Sequence, residues 1–188
     1  MDSGAGRVVV ISGPSGVGKT TLSRRLLEDP RLARSVTATT RLPRPGEVNG
    51  RDYHFLSAEE FAAWENQGEF LETAETFGRR YGTPRRSVAA VWNQDRVPVL
   101  DIDYQGVRRL RELGYRGVFI QVRPPALDAL KERLAQRGTS AEELARRVAR
   151  AQTELDQASL YDYQVINDDV ERALGEIRGL LQRDCFGA

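Results

Sequence analysis

Gly13, Gly18, Lys19 and Thr20 occupy every fixed position of the pattern G-x-x-x-x-G-K-[ST] in the run Gly13-Pro14-Ser15-Gly16-Val17-Gly18-Lys19-Thr20. These residue types at this spacing hold a polyphosphate. Glycines let backbone N–H groups come close to phosphate oxygens and tolerate positive φ. Lys19 is expected to reach the β- and γ-phosphates, and the Thr20 hydroxyl to bind Mg²⁺. Thr21 continues the same candidate phosphate site.

The pattern has meaning only between a strand and a helix, and both flanks are legible. Arg7 to Ser12 reads RVVVIS, a β-branched run of buried-strand type. Thr20 to Glu28 reads TTLSRRLLE, with Leu22, Leu26 and Leu27 at helical spacing. That order wraps backbone amides around an anion at a helix N-terminus. A chance glycine turn is the competing account, and the two flanks weigh against it. A nucleoside triphosphate is the expected ligand.

A second chemical element lies at Val97-Pro98-Val99-Leu100-Asp101, an apolar strand ending in an acid. A carboxylate at a strand tip suits a place beside Mg²⁺ and its waters, or beside substrate. The alternative is an Asp that caps the next helix. Asp103, two residues on, is expected on the same side of an extended segment.

Strand and helix signals alternate, which predicts an α/β fold with a mostly parallel sheet flanked by helices. Arg34 to Asn49 is too rich in Pro, Gly and Thr for a long helix. Ser57 and Glu60 have capping-box spacing and open a helix to about Gln67. Strands are expected over Tyr53–Leu56 and Glu69–Glu75, a turn over Phe77–Gly82, and a helix from Pro84 to Trp92. Val97–Asp103 and Val118–Val122 return to core strands, with a helix from Gln105 to Leu113 between them. Helices are expected from Pro124 to Gln136 and Glu142 to Gln157, then a strand at Tyr163–Ile166 and a helix over Val170–Arg183. The composition changes on entry to and exit from about 36–92, which predicts an insertion there between core parts 1–35 and 93–188.

The 188 residues carry a formal net charge of +1, so no broad basic field points to nucleic acid. The lone Cys185 excludes an intrachain disulfide, and with His54 as the sole histidine a structural zinc site is not expected. No apolar run reaches membrane-spanning length, and the opening MDSGAGR has no charged-then-apolar leader pattern. A soluble, cytoplasmic monomer or small homo-oligomer is expected.

The run Thr37-Ala38-Thr39-Thr40-Arg41-Leu42-Pro43-Arg44-Pro45-Gly46-Glu47-Val48-Asn49-Gly50-Arg51-Asp52-Tyr53 strongly resembles guanylate kinase, the family that phosphorylates GMP with ATP. The resemblance continues through Phe70-Leu71-Glu72, Tyr81-Gly82-Thr83-Pro84-Arg85, Leu100 to Gly106, Arg137-Gly138-Thr139 and Val165-Ile166-Asn167-Asp168-Asp169. It implies that Arg41 and Arg44 bind the GMP phosphate, with the Tyr53 and Tyr81 hydroxyls completing that site. Glu72 would read guanine, whose N1–H and N2–H are adjacent donors matched to a carboxylate. Thr37 and Thr83 would stand beside the base, Asp103 near the guanine, and Asp101 near metal and phosphates. Arg137 and Arg147 match arginines of a lid, about 137–147, that closes over the ATP phosphates. The stretch Thr139 to Arg146 is one residue short of the family pattern. Counting back from Tyr161-Asp162-Tyr163 selects Arg147, with Arg146 left open. Asn167 matches a position near adenine.

The attacking atom would be an ionised GMP phosphate oxygen, so no covalent nucleophile is needed. A structural contact is expected of His54, none of catalytic note from Cys185, and packing within the insertion from Trp64 and Trp92. Two other functions compete. One is a non-catalytic guanylate-kinase-like module that binds protein, in which phosphate loops and lids are typically degraded. The other is a phosphate-loop kinase for a different phosphorylated small molecule, against which Glu72, Tyr81 and Thr83 count.

Overall fold

The computed structural model describes residues 6–135 and 140–187. Its centre is β1 (Val8–Ser12), every residue of which is buried. It pairs in parallel with β7 (Val97–Asp101) and β8 (Gly117–Arg123). β2 (Leu32–Arg34) joins β7 on one side and β9 (Tyr163–Ile166) joins β8 on the other, giving the all-parallel order β2-β7-β1-β8-β9.

A parallel sheet is covered on both faces, and strand alternation sorts its side chains. Val9 and Ile11 pack with Leu22 and Leu26 of α1 (Lys19–Leu26) and with Leu174 and Ile177 of α7 (Val170–Asp184). Val8 and Val10 face the other way, onto Val88 of α3 (Arg85–Trp92) and Val107 and Leu110 of α4 (Tyr104–Glu112). Because the strands run in parallel, their C-terminal ends share one edge. Ile11 is in register with Asp101, which sets that acid beside the loop leaving β1.

Residues 38–84 form a second sheet in the order β4-β3-β6-β5. Its strands are β3 (Ala38–Thr39), β4 (His54–Phe55), β5 (Phe70–Thr76) and β6 (Arg79–Pro84). α2 (Ala58–Asn66) covers it, opened by the full Ser57/Glu60 capping box. A small core of Ala38, Phe61 and Phe70, with Trp64 against it, holds sheet and helix together. The Phe61 and Phe70 rings stack at 4.6 Å, and His54 meets Trp64 edge-on at 6.0 Å. Two further helices are α5 (Leu127–Ala135) and α6 (Ala141–Leu155).

Several local expectations are corrected. The turn expected over Phe77–Gly82 shrinks to Phe77-Gly78, both at positive φ (50° and 69°), and Arg79 to Pro84 pair as a strand. Two residues with positive φ give the hairpin a twist that matches its strands, so no longer loop is needed. The core strand stops at Asp101 instead of Asp103, because Asp103 turns to cap α4. α5 begins at Leu127, after the prolines instead of at them. Trp92 does not pack with the small sheet. Its ring stacks on Tyr115 at 6.3 Å beside the main core, and its indole N–H donates to the Arg7 carbonyl at 3.1 Å.

Candidate functional site

A cleft of about 330 Å³ opens at the C-terminal edge of the parallel sheet. The loop from β1 to α1 forms its floor, with Gly13, Gly16 and Gly18 at φ of 137°, 87° and 101°. Side chains are excluded there for steric reasons as well. A Cβ on Gly13 would lie 2.2 Å from the Val122 carbonyl oxygen, and one on Gly18 2.3 Å from the Asn167 amide nitrogen. Val17 is fully buried and anchors the loop in the main core, while Ser15, Thr20 and Thr21 face the cleft. Lys19 donates from Nζ to the carbonyls of Gly13 and Pro14, at 2.5 and 3.1 Å, which folds the ammonium over its own loop. Asn167 braces the loop from behind by donating from Nδ2 to the Val17 carbonyl at 2.7 Å.

Asp101 and Asp103 both line the cleft. Burial pushes the Asp101 carboxyl up, and Lys19 and Arg34 pull it back. Asp103 caps α4, accepting from the backbone N–H groups of Gln105 and Gly106 at 2.9 and 3.3 Å.

At the far end, Thr37, Arg44, Tyr53, Glu72 and Tyr81 line the same cleft. Tyr53 and Tyr81 meet edge-on at 6.4 Å. Glu72, on β5, is buried and accepts from the Thr83 hydroxyl of β6 at 2.5 Å. The bonded pair Glu72↔Thr83 in the sheet register fixes this contact. Burial, reinforced by the nearby Asp103 carboxylate, pushes Glu72 up to about 7, although Thr83 opposes the shift. Burial therefore favours the protonated form of this carboxyl well above the ordinary carboxylate range.

Arg41 is not one of the cleft-lining residues. Its Nη2 pairs with Glu47 at 2.8 Å, and its guanidinium lies 5.2 Å from the Tyr53 ring centre. Glu47 also accepts from the Arg44 backbone N–H at 2.7 Å and so ties both arginines into one loop. On α6, Arg147 lines the cleft and pairs with Glu143, whereas Arg146 is two-thirds exposed and outside the cleft. Arg137 lies outside the described residues.

The guanylate kinase family model matches residues 5–184. The chain belongs to the guanylate kinase family. It is 48% identical to the guanylate kinase of Nitratidesulfovibrio vulgaris over 176 residues, 93% of this chain and 85% of that protein. The guanylate kinase of Homo sapiens is 43% identical over 184 residues, covering 95% and 93% of the two chains. The crystal structure of guanylate kinase from Anaplasma phagocytophilum superposes with a TM-score of 0.79 at 33% identity, over 95% of this chain and 86% of that one. The SH3-kinase fragment of tight junction protein 3 shares the fold at a TM-score of 0.53 and 16% identity.

Within a guanylate kinase fold, one cleft thus gathers both ends of the expected site. The phosphate loop, Asp101, Asp103, Thr37, Arg44, Tyr53, Glu72, Tyr81 and Arg147 border it, and Thr83 reaches it through Glu72. Pro14, Val17 and Asn167 serve the loop from behind instead of lining the cleft. Sequence reasoning missed Glu47, Thr76, Gly106, Arg150 and Glu154. A signal existed for two of them: Arg147, Arg150, Ala151 and Glu154 follow i, i+3, i+4, i+7 spacing on one helix face, and all four line the cleft. Gly106 ends the resembling run Leu100 to Gly106 but drew no role from it, because its need arises from packing. A Cβ there would stand 2.6 Å from Glu72 Oε2.

The raised Glu72 carboxyl has a measurable consequence. Burial favours a proton on Glu72, and a guanine that gave both donors to this carboxylate would have to displace it. Guanosine binding, chosen because it has no phosphate to titrate, is expected to weaken as pH falls from 8 to 6, approaching about tenfold per unit. Calorimetry across that range checks it, and Glu72→Gln should flatten the profile. A flat profile in the unmodified protein would remove the ionised Glu72 from base recognition.

Proposed function

We propose that this chain transfers the γ-phosphoryl group of ATP to GMP, giving ADP and GDP, with Gly13 to Thr21 and Asn167 on the ATP side and Thr37, Arg41, Arg44, Tyr53, Glu72, Tyr81, Thr83 and Asp103 on the GMP side. The observation that carries it is the single cleft with a phosphate loop at one end and a buried carboxyl–hydroxyl pair at the other. The geometry favours a bisubstrate kinase over a protein-binding module, which has no use for a pocket at each end. On this reading the insertion at about 36–92 carries GMP, and a lid at about 137–147 closes the ATP side.

The chemistry balances without a covalent intermediate. A GMP phosphate oxygen forms a bond to the γ-phosphorus as the bond from that phosphorus to the β–γ bridging oxygen breaks, and ADP leaves with the electron pair. Lys19 leaves its resting carbonyls to meet the β- and γ-phosphates. Arg147 and Arg137 neutralise charge on the transferring group. Arg44 and the two tyrosines hold the acceptor phosphate in line, with Arg41 shaping their loop through Glu47.

Among the described residues no cluster of three His, Cys, Asp or Glu could hold a metal ion. That suits Mg²⁺, which takes one or two protein ligands and completes its shell with phosphate oxygens and water. The Thr20 hydroxyl would hold it directly and Asp101 through water, both bordering the cleft. Bound there, it would shield phosphate charge.

No helix among the described residues is long and apolar enough to cross a membrane. A net charge of +1 supports a protein without a nucleic-acid partner, and a lone unpaired cysteine fits the cytoplasm; a monomer or small homo-oligomer remains part of the reading.

A coupled ADP-release assay across GMP, AMP, CMP and UMP tests the reaction. GMP is expected to exceed each of the others by about four orders of magnitude in kcat/KM, since a site built on paired hydrogen bonds rejects partners that lack them. Comparable rates with AMP would overturn the assignment.

A further inference from the structure

Arg150 lies on the cleft-facing stripe of α6, one turn beyond Arg147. Its Nη2 donates to Asp103 Oδ2 at 3.0 Å and to Thr76 Oγ1 at 2.8 Å, and its Nε to Glu154 Oε1 at 3.2 Å. Thr76 is the last residue of β5, Asp103 caps α4, and Glu154 is on α6 itself. One guanidinium therefore joins α6, the hairpin of the small sheet, and the core.

The next links are equally direct. Asp103 holds the first turn of α4 through the N–H groups of Gln105 and Gly106. Gly106 abuts the Glu72 carboxyl so closely that a Cβ would overlap it. Contacts thus run without a gap from α6 to the base-reading acid. Phe77, beside Thr76, adds a second tie. Its half-exposed ring lies 5.4 Å from the Arg147 guanidinium and 5.3 Å from that of Arg150. Its φ of 50° is one that glycine would adopt with less strain, so an aromatic there calls for a contact that uses it.

Charge explains why the junction depends on arginine. Asp101, Asp103, Glu154 and Glu72 are four acids around one cleft, and burial raises Asp101, Glu154 and Glu72. Without Arg150, Asp103 and Glu154 would lose the cation that bonds both, leaving Glu154 only the more distant Lys19 charge against Asp103. With it, α6 is tied to the hairpin, and the Phe77 tip stands against Arg147 at the same junction.

We propose that Arg150 is a positioning residue that couples α6 to the guanine pocket, so that a nucleotide in the phosphate loop strengthens GMP binding. This rests on the ATP and GMP sites assigned above. Arg150 touches neither reacting atom. It acts through Asp103 and Thr76, and reciprocity requires GMP to tighten ATP binding by the same factor.

The test is calorimetric titration of GMP with and without Mg²⁺ and a non-hydrolysable ATP analogue, on the unmodified protein, Arg150→Met and Thr76→Val. In the unmodified protein the analogue is expected to tighten GMP by about fivefold or more, the low end of ordinary coupling energies. Arg150→Met keeps the apolar stem and should bring that ratio to near one, whatever its effect on GMP measured alone. Thr76→Val removes one hydroxyl that touches no phosphate and should lose part of the ratio, which keeps the test valid if the arginine variant folds poorly. An undiminished ratio in both variants, or no strengthening in the unmodified protein, overturns the coupling role. So does weaker analogue binding by Arg150→Met in the absence of GMP, which would make Arg150 a phosphate ligand. Failure of the unmodified protein to bind GMP at all would instead strike the GMP assignment on which the coupling rests.

Discussion

Lys19→Ala is expected to lower kcat by about three orders of magnitude or more, the range seen when one positioned charge is removed from a developing phosphoryl or oxyanion centre. The folded structure should survive it. Among the described residues Lys19 hydrogen-bonds to the Gly13 and Pro14 carbonyls alone, both on the loop it serves, and it packs in none of the three apolar clusters. The loop itself is held by other means: Val17 sunk in the core, Asn167 on the Val17 carbonyl, and glycines at positive φ. A stability change of about 1 kcal/mol or less is therefore expected, the net size of an ordinary hydrogen bond. Thermal unfolding and single-turnover phosphoryl transfer measured on the same sample separate the two effects. Near-normal transfer by a folded Lys19→Ala protein would remove the phosphate loop from the chemistry.

Legibility in the sequence followed the range of each interaction. The phosphate loop and its flanks were readable because a strand, a glycine turn and a helix are local, and β1 and α1 stand where the pattern set them. The capping box at Ser57 and Glu60 was readable for the same reason. β2 and β3 were not, since strands of three and two residues exist only through their partners. Trp92 looked like part of the insertion because it lies there in sequence, yet α3 packs on the main sheet and takes the indole with it. At the site, resemblance supplied Glu72 and Arg44, which no spacing rule would have found. It reached Gly106 without giving it a role and did not reach Thr76; the importance of both comes from contacts across 34 and 74 positions of chain, with Glu72 and with Arg150. Arg150 and Glu154 fall between the two cases. Their helical stripe was visible, but their role depends on what the stripe faces.

Glu72→Gln should separate recognition from stability in opposite directions. Guanine presents N1–H and N2–H together, and two carboxylate oxygens can accept both. An amide offers one acceptor and turns an N–H₂ toward the second donor, a mismatch of about 1–3 kcal/mol, or roughly 5- to 150-fold. IMP keeps N1–H and lacks the 2-amino group, so the unmodified protein should favour GMP over IMP, and Glu72→Gln should narrow that preference while lowering kcat/KM for GMP. Thr83 can still donate to the amide oxygen, so the local hydrogen bond survives. Stability should move the other way. The carboxyl is raised from 4.5 to about 7 in the fold, so the fold favours its protonated form. That contribution is complete below 4.5 and is lost as pH rises through about 7, where the buried group must ionise. Above 7, Glu72→Gln has no charge to bury and should melt at the same temperature as the unmodified protein or higher, with the gain shrinking toward pH 5. Melting curves at pH 5 and 8, paired with kcat/KM for GMP and IMP on both proteins, decide the matter. An unchanged GMP-over-IMP preference would remove Glu72 from base reading. A variant that loses both preference and stability at pH 8 would make Glu72 a structural residue and not a binding group kept ready at a cost to the fold.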